Sequence, residues 1–295
     1  MKKSKFKITD DDYTCLKYLW LWKVATTTLL KYGVYKTKNM ERTYRRLVQL
    51  EKRKLIQSVS NRDQSGVFWT LTDKGFKEIQ FNHTKLIEHG YATEHIEHVF
   101  WVTAIHQAGW IMQKPDSCAY FTEQQLRRFD KSSFLDWVPD SIIHRPDGYW
   151  KTDLSQPNSK ALVALEVELN KKPPVSYNDI GEFYSSRISV SQVLWFVPSL
   201  SDAQYIQRHL SQKSQTQAKE HSFILMSHFI SNQWQAPIVL GKNKGFTVTD
   251  ILNNNKNPAA PLRVPQGYLD IRKKPINSIK SVLPKSHHLG LSRYL

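Results

Sequence analysis

One run constrains this chain more than any other: Ala161-Leu-Val-Ala-Leu-Glu-Val-Glu-Leu169, followed by Asn170-Lys171-Lys172. It is apolar except at Glu166 and Glu168. Read as a strand, it places Ala164, Glu166 and Glu168 on one face and Leu165, Val167 and Leu169 on the other. Two carboxylates on one face of an apolar strand are costly unless a metal ion or a basic partner compensates them. Upstream, Trp137-Val-Pro-Asp-Ser-Ile-Ile143 reads as a second, shorter apolar strand that carries Asp140 just after Pro139. A polar excursion punctuated by Pro and Gly separates the two strands.

Charge divides the chain further. The net charge is +16, and residues 1–80 hold 18 Lys/Arg against 8 Asp/Glu while residues 241–295 hold 10 against 2. The segment 81–240, with the carboxylate strand, is therefore left near neutral. Basic ends around a neutral middle fit contact with a polyanion better than a need for solubility, which a well-mixed surface would meet. Hydrophobic and aromatic contents of 40% and 12% fit a folded protein with room for two cores. No apolar run approaches the length of a membrane span, and the start Met1-Lys-Lys-Ser-Lys5 is not that of a signal peptide. Cys15 and Cys118 lie far apart with no CxxC, which fits a reducing cytoplasm.

The first 80 residues read as three helices and a hairpin. Thr9 can cap a helix over 9–24, with Asp10, Asp11 and Asp12 at its positive end. A short helix from Ala25 ends near Gly33, and Asn39 caps a third from Met40 to about Lys52. On that third helix Met40, Tyr44, Leu47 and Leu50 fall on one face and Arg42, Arg45, Arg46 and Gln49 on the other. Leu55–Ser60 and Val67–Thr72 read as strands around an Asn61–Gly66 turn, and Asp73-Lys-Gly75 opens the next helix. This is the order of a winged helix-turn-helix, and Leu71-Thr-Asp-Lys-Gly75 resembles the corresponding stretch of many bacterial winged-helix regulators. Arg42, Arg45 and Arg46 then face the major groove or its phosphates, with Lys36 and Lys38 at the entrance and Arg62 in the wing. Any single arginine could equally lie on a solvated helix face; their agreement with the helix order and the hairpin favours DNA.

Residues 82–113 read as one long helix or two. His95 and His98 stand at i, i+3 on it beside Glu94 and Glu97, a spacing that could serve a metal. No third ligand follows, so polar helix positions or interdomain contacts are the expected roles. Thr122-Glu123 opens a capped turn. After Pro173-Pro174 come a helix over 176–187, a buried strand at Gln192–Val197, a helix at Asp202–Leu210 and a strand from Ser222. The tail beyond Gly241 is basic and contains Pro.

Pro139-Asp140 followed by Glu166-x-Glu168 and lysines resembles the PD-(D/E)xK nuclease pattern. More broadly, the order of elements over roughly residues 10–230 resembles the replication-relaxation family of plasmid and mobile-element proteins. The resemblance implies an α/β (α+β overall) chain: a winged helix over 1–80, a restriction-endonuclease-like domain over 81–240 and a basic extension over 241–295. It implies Asp140 and Glu166 as Mg²⁺ ligands, with Glu123 able to join them from the preceding helix. It also implies a lysine at the position that Glu168 occupies, so that Lys171 or Lys172 would have to substitute. No cofactor is otherwise implied. Three functions are compatible. The first is an accessory protein of mobilisation or plasmid replication that binds double-stranded DNA beside a relaxase, with a degenerate nuclease-like domain. The second is an active Mg²⁺-dependent endonuclease using Asp140, Glu166, Glu168 and a lysine. The third is a winged-helix transcriptional regulator. Paired half-sites on the DNA would make the protein a homodimer.

Overall fold

The structure, a computed structural model, describes residues 7–37, 39–60, 67–80, 96–112, 118–140, 143–152, 162–187, 189–210 and 220–252. The described residues form a mixed α/β structure with two sheets. Among the described residues no helix is long and apolar enough to cross a membrane.

Helix α1 (Asp10–Trp22) begins where expected, because Thr9 and Asp12 form a reciprocal cap: Thr9 N–H donates to Asp12 Oδ2 at 2.7 Å and Asp12 N–H to Thr9 Oγ1 at 3.3 Å. Strand β1 (Val24–Thr26) occupies the start of the segment read as a helix from Ala25. Thr26 then caps the short α2 (Thr27–Leu30), which runs on as a π-helical turn through Gly33 to Tyr35. Helix α3 (Met40–Lys52) has the expected bounds, since the Asn39 side chain accepts the Arg42 N–H at 3.0 Å. Strands β2 (Ile56–Ser60) and β3 (Val67–Leu71) pair antiparallel, with β1 on the other side of β3. The sequence Leu71–Gly75 has a steric cause. At the start of α4 (Asp73–Gln80) a Cβ on Gly75 would stand 1.9 Å from the Leu55 carbonyl oxygen, so only glycine lets the helix close on β2.

The second sheet runs β4-β5-β6-β7-β8-β9. Strands β4 (Cys118–Thr122), β5 (Gly148–Thr152) and β6 (Leu162–Val167) form an antiparallel meander. Strands β7 (Val190–Val197) and β8 (Glu220–Leu225) continue parallel to β6, and β9 (Ile238–Gly241) closes the edge antiparallel. Helix α7 (Pro174–Ser185) starts on the helix-compatible Pro174 and links β6 to β7, and α8 (Leu200–Leu210) follows β7. Helix α5 (Ile96–Met112) covers one face with Phe100, Trp101 and Ile105, packed on Val163, Leu165 and Val167. The other face packs Ala164, Val193 and Trp195 against Tyr177, Ile180 and Tyr184 of α7. The alternation expected for 164–169 holds, but both faces are buried.

Two boundaries differ from expectation. The stretch Trp137–Asp140 is a turn rather than a strand, and the strand that pairs with β6 is β5, inside the segment read as a polar excursion. Residues past 240 also belong to the second core: Val248 and Leu252 of α10 (Val248–Leu252) are buried with Trp234 of the turn after α9 (Met226–Asn232).

The N-terminal unit is seated on the second sheet rather than tethered to it. Trp22 packs against His106 and Tyr120 at ring distances of 5.3 and 5.4 Å, and Trp20 stacks on Phe129 at 5.5 Å. Phe68 meets Phe100 at 5.0 Å, and Thr103 Oγ1 donates to the Trp22 carbonyl at 3.1 Å. Val24 and Phe68 are thus members of the α5 core.

Candidate functional site

Helix α3 divides its arginines by their angle around the helix. Thr43, Leu47 and Leu50 form its buried stripe. Arg42 and Arg45 stand away from that stripe, and the Arg45 side chain is 75% exposed, paired only along the helix with Glu41 at 2.8 Å. Met40 and Tyr44, expected on the apolar face, are 40% and 43% exposed beside them. Arg46 lies about 40° from Leu50 on the helical wheel, at the edge of the stripe, and points inward. Its Nε donates to Asp12 Oδ1 at 2.8 Å, one terminal nitrogen reaches Asp12 Oδ2 and, at 3.0 Å, the Lys7 carbonyl, and the other reaches Gln49 Oε1 at 3.0 Å. Arg46 is therefore a brace between α3 and α1, not one of the outward-facing arginines. Lys36 is exposed after α2, whereas Lys38 and Arg62 lie outside the described residues.

The second candidate site is where the start of β5 meets the end of β6. Asp147 precedes β5; its Oδ2 accepts the Val167 N–H at 2.7 Å and its own N–H donates to the Leu165 carbonyl at 3.0 Å. His98 of α5 faces it, with Nε2 3.4 Å from Asp147 Oδ1 and 3.0 Å from the Val167 carbonyl. Glu166 Oε1 receives His144 Nε2 at 2.6 Å and the Tyr184 hydroxyl of α7. Glu168 Oε2 lies 2.8 Å from Lys172 Nζ, and the Lys172 backbone N–H donates to the Tyr177 hydroxyl at 2.9 Å. All three carboxylates are buried.

The electrostatics follow from that pairing. Burial opposes charge on His98, but the Asp147 carboxylate outweighs it and holds the imidazole up at about 9. His144 is raised likewise, burial being overcome by the charge and hydrogen bond of Glu166. Burial pushes Asp147 up, and His98 with the Val167 N–H turns the balance, so its carboxyl stays below the usual range. On Glu168 burial outweighs Lys172 and lifts the carboxyl, while burial on Lys172 is outweighed by Glu168, Glu166 and Asp147. His106, two helical turns beyond His98, is different: burial outweighs the carbonyl and the charge of Asp147, and it falls to about 4. Its Nδ1 accepts from Trp150 Nε1 at 2.8 Å, which leaves Nε2–H to donate to the Asp147 carbonyl at 3.2 Å. A Cβ on Gly148 would sit 2.5 Å from the His106 ring, so a glycine after Asp147 is what admits this contact.

Of the residues expected in one site, Glu166, Glu168 and Lys172 are brought together. Asp140 is not: half-exposed, it pairs with Lys131 at 2.6 Å. Glu123, at the start of α6 (Glu123–Arg128), pairs with Arg127 at 2.6 Å, although its backbone N–H donates to the Asp147 carbonyl at 3.3 Å. Lys171 turns to Asp202, at 3.2 Å, and the Tyr205 ring. Asp140, Glu166 and Glu123 thus do not form the expected Mg²⁺ ligand set. Among the described residues, no group of three or more His, Cys, Asp or Glu side chains could hold a metal ion. His95 lies outside the described residues, and His98 serves Asp147 instead. Sequence reasoning missed Asp147 and His144, and of the two Asp147 had a signal. Its signal was a second Pro-Asp dipeptide, Pro146-Asp147, placed directly before Gly148-Tyr-Trp150.

No family model, curated protein or solved structure matches this chain. Its function therefore rests on these two sites. One is an outward-facing helix surface carrying Arg42, Arg45, Met40 and Tyr44. The other is a buried set of three carboxylates, each facing a basic side chain.

Proposed function

We propose that this chain is a sequence-specific double-stranded DNA-binding protein of a mobile element, acting beside mobilisation or replication proteins such as a relaxase. In this reading residues 7–80 are a winged helix-turn-helix whose recognition helix is α3. The second sheet with α5 and α7 is a restriction-endonuclease-like domain that binds and positions but does not cut.

The observation that carries the reading is the exposed face of α3. Arg42 and Arg45 project from a helix braced from behind by Arg46 and Asp12, beside the strands β2 and β3 that flank the wing. A braced helix presents its side chains at fixed spacing, which is what groove readout requires. Arginine pairs with guanine edges or phosphates, while Met40 and Tyr44 supply apolar contact of the kind that thymine methyl groups accept. The nuclease-like part is supported by the order α5-β4-α6-β5-β6-α7-β7, with Asp147 at the start of one central strand and Glu166 and Glu168 at the end of the next. The noncutting part is supported by the poor fit of that site to a metal, with Glu168 in place of the lysine.

The test is fluorescence anisotropy with short duplexes tiled across the protein's own locus, repeated over a range of salt. One duplex should bind more tightly than its neighbours, and Arg42→Ala and Arg45→Ala should each lower the logarithmic salt slope by about 0.9 if they contact phosphate. Equal, weak binding to every duplex, or slopes unchanged in both variants, would overturn the reading.

A further inference from the structure

We infer that Asp147, Glu166 and Glu168 form an ion-pair lock, in which His98, His144 and Lys172 stand where a nuclease-like site would hold a divalent cation. The inference rests on the nuclease-like reading of the second domain and says what has become of its centre.

Each carboxylate has its own cation, and the cations come from different parts of the chain. His98 on α5 serves Asp147, His144 in the segment before β5 serves Glu166, and Lys172 ahead of α7 serves Glu168. Several of the oxygens that a metal would need are engaged. Asp147 Oδ2 takes a backbone N–H and Oδ1 faces His98, while Glu166 Oε1 takes both His144 and the Tyr184 hydroxyl. Mg²⁺ demands near-octahedral oxygen ligation and sheds water reluctantly, so it competes poorly for oxygens already held by charged donors. The Lys172 ammonium, and each imidazole when protonated, also repels an incoming cation.

The substitution at 168 completes the arrangement. A lysine there would bring its own charge to the centre; Glu168 adds a third carboxylate, and Lys172, four residues later, returns the positive charge at 2.8 Å. The lock ties α5, the entry to β5, the end of β6 and the entry to α7. Of these, α5 is also an element on which the N-terminal unit is seated, through His106 and Thr103 against Trp22.

The experiment is a Mn²⁺ titration of the full chain, free of DNA, at neutral pH, read by the electron paramagnetic resonance signal of the free ion, with thermal denaturation in parallel. Wild type should leave the free-ion signal unchanged into the millimolar range, and Mg²⁺ should not raise its Tm. Lys172→Ala, at a half-exposed position that lets the variant fold, should lower the Tm and raise the affinity for Mn²⁺ by at least about tenfold, the scale of one unit charge removed from a partly buried site. Stoichiometric Mn²⁺ binding by wild type that is lost in Glu166→Gln would overturn the lock. So would a folded Lys172→Ala with wild-type Tm. Site-specific DNA binding, measured separately in EDTA, decides the functional reading whatever the metal result.

Discussion

Replacing Arg46 by alanine separates two roles that an arginine on α3 could have. In the structure the Arg46 guanidinium closes on both oxygens of Asp12, a fully buried carboxylate, and also holds the Lys7 carbonyl and Gln49. Removing one partner of a buried pair typically costs about 3–5 kcal/mol, because a charge is left behind without compensation. The Arg46 side chain is 23% exposed and Asp12 keeps the Thr9 N–H, so the lower end applies, about 3 kcal/mol. For a chain of this size that corresponds to a fall in Tm of about 6–12 °C. Arg42→Ala and Arg45→Ala, which remove exposed side chains, should stay within about 0.5 kcal/mol of wild type. DNA binding should divide the other way. Well below its Tm, Arg46→Ala should keep the wild-type salt slope, because its charge is already used inside the protein, whereas the other two should each lose about one unit. Differential scanning fluorimetry and anisotropy read both effects on the same samples. An Arg46→Ala protein with unchanged Tm and a slope reduced by about one would refute the inward placement.

Other perturbations follow from the same structure. His98 is held up to about 9 against an ordinary 6.5, so its pair with Asp147 contributes stability fully below pH 6.5 that is lost as pH rises through about 9. Wild-type Tm should fall over that window, by the equivalent of at most about 3 kcal/mol, and the fall should vanish in His98→Asn. Tyr184→Phe removes a buried hydroxyl donor from Glu166 and should cost about 1.5–3 kcal/mol in chemical denaturation. Trp22→Ala empties the contact with His106 and Tyr120, should cost about 3–5 kcal/mol, and should split a single calorimetric transition into two as the units uncouple.

Local chemistry was legible in the sequence and long-range pairing was not. Thr9, Asn39 and Thr122 cap their helices as expected because each satisfies a backbone N–H a few residues away. The strand with Glu166 and Glu168 could be read from alternation alone. Arg46 could not be separated from Arg42 and Arg45, since its partner, Asp12, belongs to another helix. Pro139-Asp140 and Pro146-Asp147 are alike as local sequence, and only the first was read as a strand residue. Strand identity is set instead by pairing with β4 and β6, where Tyr149 lies between Phe121 and Ala164. The strand β4 itself went unread, as did the roles of His98 and His144, whose partners are strands brought near only by the sheet. Glu168 and Lys172, four residues apart, were within reach of sequence reasoning, and there Lys172 rather than Lys171 is the lysine that returns.

The central claim, a DNA-recognition protein whose nuclease-like centre does not cut, is tested most directly by incubating the purified chain with supercoiled plasmid carrying its native locus, in Mg²⁺ or Mn²⁺. Samples are resolved before and after removal of protein. The account predicts a salt-sensitive retarded complex that depends on the locus and releases intact supercoiled plasmid. Metal-dependent nicking that disappears in an Asp147→Ala/Glu166→Ala variant would contradict it.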